Sequence, residues 1–196
     1  MLSGSYFALL CIAAFILLQL LPPSAIQALT FERTLLAEGQ YWRLITAHFV
    51  HLSWLHLLMN SLALALFQWL YGASFPPWRW LAVLPSLCLG ISLGLYWGTP
   101  GIDWYRGFSG VVIGMLATGA LLNLRQQPLF NAAVCATIVA KVLLEQWQGQ
   151  AVITTAFNSV PTVVDAHLYG ATTALCYFGL EAVTRKLNRL IWQTDS

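Results

Sequence analysis

Gly107-Phe108-Ser109-Gly110-Val111-Val112-Ile113-Gly114-Met115-Leu116-Ala117-Thr118-Gly119-Ala120-Leu121-Leu122-Asn123-Leu124 is the stretch on which the fold of this chain turns. From Ser109 it runs uncharged for roughly 16 residues, or ~24 Å as a helix at 1.5 Å per residue. A bilayer hydrocarbon core is ~30 Å thick, so such a helix cannot reach both surfaces. With one end fixed at Arg125, the other stops below the membrane surface, and Gly98 to Gly107 must dip in to meet it. Non-helical backbone at that depth is tolerated where it is buried in protein or lines a wet cavity, and Gly98, Pro100, Gly101 and Gly107 suit such a loop. Ser109 then sits at a helix N-terminus, where free N–H groups and the helix dipole favour developing negative charge. The alternative is that Ser109 simply caps the helix; the G-x-S-G string is not the G-x-S-x-G elbow of soluble hydrolases.

The rest of the chain is equally apolar. Of 196 residues, 59% are hydrophobic and only 8% charged, with a mean hydropathy of +0.71, far from the soluble norm of about a quarter charged. Apolar segments near the ~20 residues of a membrane span fall at 4–21, 51–71, 78–97, 109–124, 129–147 and 162–183. The expected fold is therefore an all-α, polytopic bundle of six transmembrane helices, with residues 1–196 forming a single transmembrane domain. The first segment lacks a basic leader, and its end, Leu21-Pro22-Pro23, is not a small-residue cleavage site, so it reads as a retained helix. Arg79, Arg125, Arg185, Lys186 and Arg189 against Arg33, Arg43 and Arg106 predict an N-in, C-in orientation. The C-terminal basic cluster suits anionic lipid headgroups rather than nucleic acid. The long first loop, 22–50, carries Tyr41-Trp42-Arg43 and is expected to lie in the membrane surface.

Ionisable side chains inside a span are functional candidates. His167 opens the last segment at a depth matching that of Ser109, and a neutral imidazole there can take up the serine proton and return it to a leaving amine. Gly170, on the same helix face, permits close helix approach. His56 and Asn60, at i, i+4 on the second segment, can supply oxyanion donors beside the Ser109 backbone N–H. His48 and His51 stand at the interface, His48 being expected to bond loop carbonyls. No metal or other cofactor is expected: three histidines lack an accompanying carboxylate, cysteine or H-E-x-x-H pattern. Lys141 and Glu145, again at i, i+4, read as a paired or snorkelling couple near the outer surface, with a proton relay as the alternative. Cys11, Cys88, Cys135 and Cys176 show no C-x-x-C spacing and read as buried thiols.

Taken in order, Trp42-Arg43, His51, His56, Asn60, Gly107-Phe108-Ser109-Gly110 and Ala166-His167 with Gly170 resemble the rhomboid intramembrane serine proteases, over about 41–183. The strings Tyr105-Arg106-Gly107-Phe108-Ser109-Gly110 and Asp165-Ala166-His167-Leu168-Tyr169-Gly170 are most similar to the bacterial rhombosortase branch. The resemblance implies a Ser109 nucleophile, a His167 base, and an oxyanion site from His56, Asn60 and the Ser109 N–H. Gly107, Gly110, His51, Arg43 and Gly170 are implied as support. It further implies an inner-membrane enzyme opening to the periplasmic side. Its substrates would be single-pass, membrane-anchored exported proteins ending in Gly-Gly, one apolar helix and a basic tail. Two positions depart from the family pattern. A tyrosine four residues after the serine, which packs on the catalytic histidine in many rhomboids, is here Ile113, so histidine support must come from elsewhere. The small-residue pair on the last helix is Gly170 with Ala174 rather than two glycines.

A non-catalytic binder of membrane helices, a small transporter using His51, His56 and His167, and an acyl-transferring, transpeptidase-like sorting enzyme are the competing readings. The first is expected to lack the serine or histidine, and the second to show an internal repeat. The third differs from hydrolysis only in the nucleophile that resolves the acyl-enzyme.

Overall fold

In the computed structural model, residues 5–149 and 162–194 are described. In chain order, α1 (Ser5–Gln19) leads to α2 (Pro23–Leu29), β1 (Phe31–Glu32), α3 (Arg33–Ala37) and α4 (Arg43–Thr46). Then come α5 (Trp54–Tyr71), a 3₁₀ turn (Gly72–Ser74), α6 (Pro77–Gly98), β2 (Trp104–Tyr105), α7 (Ser109–Asn123), α8 (Pro128–Gln148) and α9 (Asp165–Thr194). Each apolar segment of the sequence becomes one helix. Prolines with no N–H to satisfy start α2, α6 and α8. Ser53 caps α5, its Oγ accepting the His56 N–H at 3.1 Å. Gly149, at φ +66°, ends α8.

α7 is apolar on every side and is accordingly surrounded, touching α5, α6, α8 and α9. Its 15 residues measure about 22 Å, which agrees with the short span expected from the sequence. The surrounding helices turn polar residues inward and large apolar ones outward. On α5, His56, Asn60 and Leu64 are buried while Leu58, Leu62, Leu66 and Trp69 are exposed. Leu81, Leu89 and Trp97 on α6 and Leu129, Val139, Leu143 and Trp147 on α8 continue the outer apolar surface, of the kind that a bilayer covers. The chain is an integral membrane protein. Among the described residues, three helical stretches are long and apolar enough to cross a bilayer: 54–74, 77–98 and 128–148.

Three features differ from the sequence reading. The first loop is folded: Arg33 donates from Nε to Ile102 O and from Nη2 to Leu95 O and Thr99 O, and also bonds Tyr96 O. A guanidinium with five donors can thus satisfy the free carbonyls at the end of α6. Secondly, β1 and β2 form an antiparallel ladder pairing Phe31 with Tyr105 and Glu32 with Trp104, so the fold is not wholly helical. This ladder pins the descending loop before α7 to the first loop. Thirdly, α9 runs on past Val183 to Thr194, making the basic cluster the end of a helix rather than a tail. Gly4, at the start of the first segment, and the side chain of Arg189 lie outside the described residues.

At one end of the bundle, Tyr71 donates to Asn131 Oδ1 at 2.9 Å, Ser74 to Asn123 Oδ1 at 2.8 Å, and Arg79 pairs with Glu181 at 2.9 Å. The opposite end holds the first turns of α7 and α9.

Candidate active site

α7 begins at Ser109, which is its first helical residue; the N-cap position belongs to Phe108. The capping alternative therefore does not describe Ser109. Val112 is the first residue whose N–H reaches back to Phe108 O, at 3.0 Å, so the N–H groups before it have no carbonyl within the helix. Phe108 is fully buried, packed on Phe15 and Phe49, which fixes the loop from below. Gly107 N–H donates to Ala47 O at 3.0 Å and Tyr105 Oη–H to Gly107 O. The glycine has φ +131°, and a Cβ there would lie 2.6 Å from His56 Cε1. Both backbone and space thus demand glycine immediately before Phe108-Ser109.

His167 is brought to Ser109 by small residues on two helices. A Cβ on Gly170 would sit 2.1 Å from Gly110 O, and one on Gly110 would sit 2.5 Å from Ala166 O. α7 carries Gly110 and Gly114 on one stripe, facing Ala166 and Gly170 of α9, with a small-x-x-x-small spacing on both sides. On the other side of α9, Gly94 and Gly98 of α6 receive the Tyr169 ring, whose Oη is 2.9 Å from Thr99 Oγ1. In this setting His167 Nε2 is 2.9 Å from Ser109 Oγ. Ser109 is half-buried and His167 buried.

The other face of His167 meets a carboxylate. Nδ1 is 2.7 Å from Glu145 Oε2, while Lys141 Nζ donates to Glu145 Oε1. An ionised carboxylate only accepts, so the neutral imidazole carries its proton on Nδ1 and offers the Nε2 lone pair to the serine hydroxyl. The Lys141–Glu145 pair read from the sequence is present, but Glu145 is fully buried against His167 rather than snorkelling at a surface. The support that Ile113 cannot give comes from α8. The signal for it was a carboxylate one turn from the end of a membrane-spanning helix; nothing in its spacing names His167 as the partner.

The remaining candidates divide. His56 packs its ring on Gly107, and Asn60 lies one turn further along the same buried face. His56 Nδ1 and Asn60 Nδ2 have no hydrogen-bond partner among the described residues, leaving Asn60 with a donor in a buried position. His51 stands behind them, edge-on to His56 at 5.3 Å and to Phe15 at 4.8 Å. His48 bonds Cys88 O and Ser92 Oγ on α6, each at 3.0 Å, and also faces the backbone of Gly107 in the loop before Ser109. The structure places Arg43 away from this cluster: it is buried in the first loop, donating to Gln27 O, Thr30 O and Gln40 Oε1. Among the described residues, no group of three or more His, Cys, Asp or Glu is arranged to hold a metal ion.

A family model of the Rhomboid domain matches residues 38–182. No curated protein matches the chain.

Proposed function

This chain belongs to the rhomboid family, and we propose that it is an intramembrane serine endopeptidase with Ser109 as nucleophile and His167 as general base. The observation that carries this is the 2.9 Å contact between Ser109 Oγ and His167 Nε2 at the N-terminus of a buried helix. Ser109 Oγ attacks the scissile carbonyl carbon as its proton passes to Nε2. The resulting oxyanion is held by N–H groups of the first turn of α7, with Asn60 Nδ2 and the His56 ring as further donors. Collapse breaks the C–N bond, and the imidazolium returns its proton to the leaving amine. Water, deprotonated by the same imidazole, then releases the acyl group as a carboxylate and restores the serine.

The finer reading follows from the rhombosortase resemblance. The substrate is an exported protein ending in Gly-Gly, an apolar helix and a basic tail, cut before its membrane anchor. Residues 1–196 act as one six-span, N-in and C-in domain of the inner membrane, its site open to the periplasmic side. The position of Arg79, Arg125, Arg185 and Lys186 towards the end opposite Ser109 supports that orientation. A non-catalytic binder has no use for a serine and histidine in hydrogen-bond contact.

The test is co-expression with a tagged secreted protein bearing such a tail, comparing the chain with its Ser109→Ala and His167→Ala variants and reading the tag's new C-terminus by mass spectrometry. Loss of the tail with the active chain and retention with both variants is expected. Added mass at the new end would indicate acyl transfer instead of hydrolysis. Full cleavage by Ser109→Ala would reject the nucleophile.

A further inference from the structure

Rhomboid chemistry needs only a serine and a histidine, yet here a third ionisable group is sequestered behind the histidine. Glu145 has 0% side-chain exposure, and the side chain of Lys141 is 24% exposed. A carboxylate withdrawn from water this fully is costly unless charge and hydrogen bonds compensate it. Both its oxygens are engaged: Oε2 by His167 Nδ1 and Oε1 by Lys141 Nζ. It also reaches across from α8 to α9, two helices that otherwise touch little. A surface ion pair has no reason to take that position, whereas an imidazole that becomes charged during turnover gives it one.

We infer that Glu145 is a positioning residue that completes a Ser109-His167-Glu145 relay, with Lys141 holding the carboxylate aimed at Nδ1. This inference rests on the protease reading above. Glu145 keeps the proton of the resting imidazole on Nδ1, fixes the ring against rotation, and stabilises the imidazolium formed when Ser109 attacks. With no exposed side-chain surface, Glu145 acts through His167. The titratable and charged groups facing His167 are Ser109 from α7 and Glu145 from α8, with His56 of α5 nearby. On α9 itself, Asp165 opens the helix. Facing Glu145 are His167 from α9 and Lys141 on its own helix.

The signs follow. Replacing the carboxylate by a neutral amide destabilises the imidazolium, lowers the apparent pKa of the base, and moves the acid limb of kcat/KM to lower pH. Removing the Lys141 cation leaves the carboxylate's field on His167 uncompensated and moves the same limb to higher pH, by less. A role confined to holding helices together moves neither.

The experiment measures pH profiles for cleavage of the tailed substrate, and the rate of labelling by a fluorophosphonate, in detergent. It compares the full chain with Glu145→Gln, Glu145→Asp, Lys141→Met and Ser109→Ala. Glu145→Gln should lose about 10²- to 10⁴-fold in kcat with KM little changed, the upper figure being that for disabling a triad acid. Its acid limb should shift down, Glu145→Asp should recover part of the rate, and the Lys141→Met limb should shift up. Activity of Glu145→Gln within about threefold of the parent, with an unmoved acid limb, overturns the inference. Should Glu145→Gln fail to fold, the Lys141→Met/Glu145→Gln double variant removes the cation left without its partner, and the same criteria apply to it. Absence of any Ser109-dependent cleavage or labelling in the parent chain is a separate result: it rejects the protease reading itself, and the relay with it.

Discussion

His56 rests its ring on the Cα of Gly107, two residues before the nucleophile, and Asn60 holds a buried donor with no partner among the described residues. Leaving a buried donor unpaired costs about 1–3 kcal/mol, a cost that is recovered when charge develops on a substrate oxygen beside it. Asn60→Ala should therefore lower kcat by about 10²- to 10³-fold while leaving thermal stability unchanged or slightly raised. His48 is the converse case. Its ring bonds Cys88 O and Ser92 Oγ, and burial pushes its imidazole down to about 4. It is neutral in the folded chain, and its contribution to stability is lost as pH falls from the ordinary 6.5 toward that value, because the unfolded state binds the proton first. His48→Ala should cost about 1–3 kcal/mol in unfolding experiments, with kcat of the folded protein nearly unchanged. If His48→Ala damaged kcat as much as His56→Ala without loss of stability, the assignment of the two histidines would be reversed.

At the scale of elements, the site depends on how closely α9 approaches α7. Gly170 and Gly110 meet backbone to backbone, where no flexible side-chain end can yield. Gly170→Ala should push the helices apart at the turn below His167, lowering both the unfolding temperature and the cleavage rate, and Gly170→Val should do so more strongly. Gly179, on the same helix with nothing within 4 Å of a Cβ, is the control: Gly179→Ala should be neutral or stabilising by about 0.5–1 kcal/mol. Equal behaviour of Gly170→Ala and Gly179→Ala would mean that close approach does not hold the site. Much of this was legible beforehand. A 15-residue apolar helix too short to span, a serine at its start and a histidine at matching depth all follow from length and depth. The three-residue offset of Gly170 from His167 marks it in the sequence as a close-approach residue. The matching stripe of Gly110 and Gly114 on α7 was equally visible as a pattern, but became meaningful only opposite α9. Glu145 was not legible, because Lys141 at i, i+4 already explained it and helical spacing says nothing about which neighbouring helix a side chain meets. The folded first loop escaped for a related reason: Arg33 serves carbonyls more than 60 residues away, a partnership no local pattern encodes.

For the whole molecule, the remaining question is which side of the membrane the Ser109 end faces. Lys and Arg counts predict that side to be the outer one, and the fold supplies two positions that test it. Gly101 is exposed in the loop descending to Ser109, and a Cβ there has open space. Gln126 is exposed in the short connection between α7 and α8, at the far end of the same helix. In a background where Cys11, Cys88, Cys135 and Cys176 are replaced by alanine or serine, a membrane-impermeant maleimide applied to intact spheroplasts should modify Gly101→Cys, whereas Gln126→Cys should react only after lysis. The reverse pattern would invert the molecule and put the serine on the cytoplasmic side. That outcome would remove exported, tail-anchored proteins as substrates, since a tail cut on the cytoplasmic side cannot free the exported domain on the other. Because α7 links the two positions through a single buried helix, reaction of both sites in sealed spheroplasts would report leakage rather than topology, which labelling of a cytoplasmic marker protein detects.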